Sequence, residues 1–122
     1  MKTIITNNPR VQEQYSDQYN LEYLDKSFLD VLYHVRDGIH QGDLLLTHPL
    51  SGSVKPNETP YKSIVVEKKS GNVDMDSLLI IEDAIVMARN LLKTPKLFME
   101  DDQRMEDCKL IDLTLLSSAL NK

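Results

Sequence analysis

Two polar stretches hold the side chains best suited to bind or react. One is Thr-Asn-Asn-Pro at 6–9, with the amides of Asn7 and Asn8. The other runs from 46 to 63 as LTHPLSGSVKPNETPYKS and carries His48, Ser51, Gly52, Ser53, Lys55, Asn57, Thr59, Tyr61 and Lys62. His48 is the candidate general base or donor, because imidazole titrates near neutrality. Gly52 admits backbone conformations that aim N–H groups at an anion, and Lys55 and Lys62 add positive charge. This chemistry suits a small anionic ligand or the surface of a partner. Three of the five prolines, Pro49, Pro56 and Pro60, stiffen the segment, which lowers the entropy lost on binding. A connection this long in a small domain is disproportionately a binding loop. Three readings compete with a binding site: a stiff connector, a small enzyme built on His48, and an extended hairpin arm that joins two copies of the chain.

Familiar catalytic devices are missing. Ser-Gly-Ser at 51–53 is not a nucleophile elbow, and the segment lacks the Gly-Lys-Ser/Thr of a phosphate-binding loop. Thr-Asn-Asn-Pro is no dinucleotide fingerprint and is an ordinary way to enter a helix. His34 and His40 lie six apart on one predicted helix, so they do not face one another as metal ligands, and both read as solvated. Cys108, the single cysteine, excludes an intrachain disulfide and a multi-cysteine zinc site; it reads as a small buried hydrophobe. The acidic run Glu100-Asp101-Asp102 reads as a solvated face. No metal is expected, and no motif names a cofactor.

These residues need elements to hold them. Thr3–Thr6 is a short β-branched strand. Asn8 caps the helix that follows, with Pro9 at its first position and a span of 9–18. Leu21–Leu24 alternates like a second strand. Phe28, Val31, Leu32, Val35 and Ile39 recur at spacings of three and four, which makes one buried stripe; Ser27 is the N-cap and Gly42 the stop. Leu44–Leu46 reads as a strand covered on both faces, and 63–69 as a fourth strand. Asp76 is expected to cap a helix over 77–92. Residues 93–107 look irregular and acidic, 108–111 extended, and a last helix starts at Asp112. Tyr15, Tyr19 and Tyr23 are expected to pack.

The order implies one α/β domain over 1–122: a small three-layer arrangement with a mostly parallel sheet of about four strands and an antiparallel edge strand. In such sheets ligands sit beyond the carboxyl ends of the strands. If strands 1 and 3 were neighbours, the two polar stretches would share one crevice. The net charge of −5 argues against nucleic acid. No segment approaches the roughly 20 apolar residues of a membrane span, and the opening MKTIITNNP is too short in apolar residues for a signal peptide; the cytoplasm is the expected location.

TIITNNP at the start, the 46–63 motif and the closing LIDLTLLSSAL together resemble the GrdX family, over nearly the whole chain. Those small proteins are encoded with the glycine, sarcosine and betaine reductase systems of amino-acid-fermenting anaerobes. The resemblance implies an accessory role beside a selenium-dependent reductase that makes acetyl phosphate. It supplies no catalytic residues. The expected partners are reductase subunits or a small anionic metabolite, with a homodimer as a further form.

Overall fold

A computed structural model describes residues 1–50, 55–95 and 102–121. The elements run β1 (Lys2–Thr6), α1 (Pro9–Tyr15), β2 (Asn20–Tyr23), α2 (Phe28–His40), β3 (Leu44–Leu45), β4 (Ser63–Glu67), α3 (Met75–Leu91) and α4 (Asp102–Leu120). The strands form one sheet in the order β2-β1-β4-β3.

Successive strand residues point to opposite faces, so each strand feeds two cores. Ile5, Ile64 and Val66 meet Phe28, Val31, Leu32, Val35 and Ile39 of α2 and Ile81, Ile85 and Ala88 of α3. Ile4 and Val65 meet Val11 and Tyr15 of α1 and Leu116 of α4. The result is the expected three layers. Tyr15 also donates to or accepts from Ser117 across 2.6 Å and stands edge-on to Tyr19.

The sheet is mixed rather than mostly parallel. β1 pairs parallel with β2, while β4 pairs antiparallel with both β1 and β3. β1, β2 and β3 therefore point one way, and the antiparallel strand is internal rather than at an edge. Burial explains this: Ser63–Val66 is covered on both faces, whereas β3 has only two half-buried residues. A strand apolar on both sides gains most from two neighbours, and a very short strand is a safe edge.

Helix boundaries also differ from expectation, and α1 ends at Tyr15 rather than at 18. Asp74, not Asp76, caps α3: its Oδ2 accepts from the Ser77 N–H at 3.0 Å and the Ser77 hydroxyl at 2.7 Å. The Ser77 hydroxyl in turn accepts from the Leu45 N–H, which ties the edge strand to α3. The larger change is α4, one continuous helix where sequence suggested irregular chain, then an extended piece, then a helix from Asp112. Its acids suit the positive end of the helix dipole, and Gln103–Asp107 and Glu106–Lys109 are bonded one turn apart.

Gly42 follows α2 with φ +116°, and an added Cβ would stand 2.8 Å from the Gly71 nitrogen. Strain and collision act together there. Gly42→Ala is expected to cost about 2 kcal/mol, read as a lower urea midpoint; a loss under about 0.5 kcal/mol would show that the turn relaxes freely.

Candidate functional site

The two polar stretches do meet, by a different route from the one expected. β4 separates β1 from β3, and its first residues lie beside the last of β1, with Thr6 paired to Ser63. The carboxyl ends of the three parallel-running strands and the start of β4 therefore share one end of the sheet. α4 covers that end from one face.

Asn7 is a clamp. Its Oδ1 accepts from the Lys62 N–H at 2.8 Å, and its Nδ2 donates to the carbonyls of Pro60 at 2.8 Å and Lys26 at 3.0 Å. Asn8 is fully buried. Its Oδ1 caps α1 through the Arg10 N–H, as expected, while its Nδ2 donates to the Lys109 carbonyl and to Asp112 Oδ2 at 3.0 Å. The same Asp112 oxygen accepts from Ser63 Oγ at 2.7 Å, and Ser63 Oγ lies 2.6 Å from Thr6 Oγ1. Thr6, Asn8, Ser63 and Asp112 thus form one buried polar network joining β1, α1, β4 and α4.

Lys62 lies beside this network, with its side chain buried. Among the described residues it takes part in no ion pair. Burial lowers its pKa from the usual lysine value, against the attraction of Asp112. Burial also raises the pKa of Asp112, against the bonds from Ser63 and Asn8 and the charge of Lys62. Burial pushes each group toward its neutral form, and no ion pair joins the two among the described residues.

Two small cavities flank them. One, about 10 Å³, is lined by Thr59, Tyr61, Lys62, Cys108, Ile111 and Asp112, with Leu115 at its wall. The other, about 30 Å³, is lined by Thr47, His48, Lys62, Ser63 and Asp112 and closed by Leu115, Leu116 and Ala119. Lys62, Asp112 and Leu115 belong to both. A single water needs about 10–15 Å³ on this measure, so the crevice holds waters or one small group, not a whole metabolite. Ile111 and Leu115 remain half exposed and give it an apolar lip.

The other candidates from sequence divide clearly. Thr59 is buried and Tyr61 partly so, in the smaller cavity, where burial raises the Tyr61 pKa. His48 is exposed and lines the larger cavity; its Nδ1 accepts from the Leu50 N–H at 3.1 Å. Asn57 is buried, and its Oδ1 has no hydrogen-bond donor among the described residues. Lys55 is exposed, and its N–H donates to Glu58. Ser51, Gly52 and Ser53 lie outside the described residues. The turn 55–59 is packed down, with Pro56, Asn57 and Thr59 buried and Cys108 Sγ donating to the Glu58 carbonyl at 3.8 Å. His34 is not simply solvated: its Nε2 lies 2.7 Å from Glu22 Oε1, and Lys68 joins Glu22 to Asp43.

Asp112 is the member of the candidate site that sequence reasoning missed. Cys108, Asp112 and Leu116 are the buried positions of α4, each four apart. That spacing was the available signal, hidden because its central member is an acid.

Among the described residues no three His, Cys, Asp or Glu side chains lie together as a metal site, and no helix is long and apolar enough to cross a membrane. Fold and crevice together define a three-layer α/β protein with an amine–carboxyl pair buried beside the carboxyl ends of its parallel strands. The chain belongs to the GrdX-like protein family, whose model matches residues 3–121. That membership points toward the glycine reductase systems without naming an activity or a partner. No curated protein and no solved structure matched the chain.

Proposed function

We propose that this chain is an accessory protein of the glycine, sarcosine and betaine reductase pathway and that its crevice receives the anionic end of a small metabolite. One observation carries the reading: Lys62 is a buried amine, bordered by two cavities, with no ion pair among the described residues. An incoming carboxylate or phosphate oxygen supplies the missing counter-charge. Burial holds Lys62 below the usual lysine value, so at pH above that lowered value an anion that needs the charged amine draws a proton in with it. Across that range binding tightens as pH falls.

The test is thermal and chemical unfolding with phosphate, acetyl phosphate, glycine and betaine, on the parent and on Lys62→Met. A ligand at a hundred times its dissociation constant adds about 2.7 kcal/mol. The parent is expected to gain that stability with an acyl phosphate or phosphate, and Lys62→Met to lose the gain. Equal gains in both proteins, or none with any compound, reject the reading.

A second reading is that a reductase component docks over the crevice. The exposed side chains of Leu110, Ile111 and Leu115 favour it. Sedimentation with purified reductase components tests it: a complex weakened by Leu110→Ser and Ile111→Ser supports docking, and sedimentation as separate species removes it.

A further inference from the structure

α3 carries apolar residues on its outer side, among Asp76, Glu82, Asp83, Arg89 and Asn90, as well as on its buried side. Ile81, Ala84, Ile85 and Ala88 are buried against the sheet and α2. Facing away are Met75, Leu79 and Val86, each 58% exposed, with Met87 at 55% and Ile80 at 37%. Single exposed apolar residues need no explanation, but an aligned set on one helix does.

The arrangement is ordered. At 100° per residue, Met75, Leu79 and Val86 fall on one line along the helix, and Ile80 and Met87 on a second. Asp76 and Asp83 lie between the two lines, seven apart, with Asn90 alongside. A shallow hollow of about 540 Å³ opens beside Asp83, Val86, Met87, Asn90 and Leu91. Two methionines on such a surface allow it to adapt to a partner's shape.

We infer that the outer face of α3 docks a basic amphipathic helix of another protein. Apolar side chains of that helix cover the two lines, and a row of Lys or Arg meets Asp76 and Asp83, in the manner of helix-in-groove recognition. Charge selects this occupant. A second copy packed antiparallel about a two-fold axis at the middle of α3 would set Asp83, its central residue, against its own counterpart. An anionic membrane surface would meet the same acids with the wrong sign, and the net charge of −5 adds to that. The face lies across the sheet from the Lys62 crevice, so the inference stands independently of the proposed function.

The probe is an amphipathic leucine–lysine helical peptide, with its leucine–glutamate counterpart as a control, titrated by fluorescence anisotropy and mapped by amide chemical shifts. The expected result is binding of the lysine peptide alone, with shifts concentrated in 75–92. Asp83→Lys and the pair Leu79→Ser and Val86→Ser should each weaken it about tenfold. Glu13→Lys, with the same charge change on an exposed part of α1, should leave it unaltered. All the changed side chains are exposed, and far-UV dichroism checks the fold. Shifts elsewhere, equal weakening by Glu13→Lys, or indifference to Leu79→Ser and Val86→Ser overturn the inference. So does self-association that Val86→Arg abolishes, or stronger binding to anionic vesicles than to the peptide.

Discussion

Asn8→Ala is expected to lower stability by about 3–5 kcal/mol, a large part of what a domain of this size commands. Three roles end together. The α1 cap to the Arg10 N–H disappears, worth about 1 kcal/mol. Asp112 Oδ2 loses one of its two donors inside the protein, and the Lys109 carbonyl loses a bond beyond its place in α4. Each broken bond at a buried site adds about 1–3 kcal/mol, less where a second partner remains. Asn8→Ser separates the roles: serine keeps the cap but cannot reach α4, so it is expected to cost about 2–4 kcal/mol, all of it from the lost bonds to α4. Urea unfolding with an unchanged slope reads both variants. If serine costs under about 0.5 kcal/mol, the bonds to α4 contribute nothing, and the network is not what joins α1 to α4.

Much of this was legible in the chain, and the boundary is physical. The α2 stripe, the Ser27 and Asn8 caps and the break at Gly42 are local features, set by residues within a turn of one another. The structure keeps each of them. Strand order is not local. β1 and β4 are both short β-branched runs, and only the demand of Ser63–Val66 for cover on both sides puts β4 in the middle. The first half of α4 escaped for a related reason: its acids are stabilised by a helix dipole and a neighbouring turn, which periodicity of apolar residues does not record. The site was half visible. Asn7, Asn8, Thr59, Tyr61 and Lys62 come from polar loops, where binding groups are looked for first. Asp112 comes from a helix face, where an acid normally signals solvent. Its burial is known only once Asn8 and Ser63 are seen to satisfy it.

Asp112 also yields the sharpest pH experiment. Its carboxyl is held above the ordinary value of 3.8. Between 3.8 and that raised value the folded protein binds more protons at this site than the unfolded chain, so stability falls as pH rises through the window. Lys62 acts in the opposite sense. Its pKa is held below 10.5, and between the lowered value and 10.5 the unfolded chain binds more protons, so stability rises with pH there. Asp112→Asn can keep one oxygen where Ser63 and Asn8 donate, while removing the charge. The difference between variant and parent should therefore grow in the variant's favour as pH rises from 3.8. The rising limb from Lys62 should move to lower pH, because the amine has lost its nearest negative neighbour. Asp112→Leu removes the acceptor as well, leaving Ser63 Oγ and Asn8 Nδ2 each one partner short. It is expected to cost about 3 kcal/mol more than Asp112→Asn, on a difference curve with the same direction of pH dependence. Unfolding midpoints across the acid and alkaline ranges distinguish the two variants. A difference curve for Asp112→Asn that is flat with pH would mean that the carboxyl is not held above its ordinary value, and the reading of Lys62 as a buried amine awaiting an anion would lose its neighbour's support.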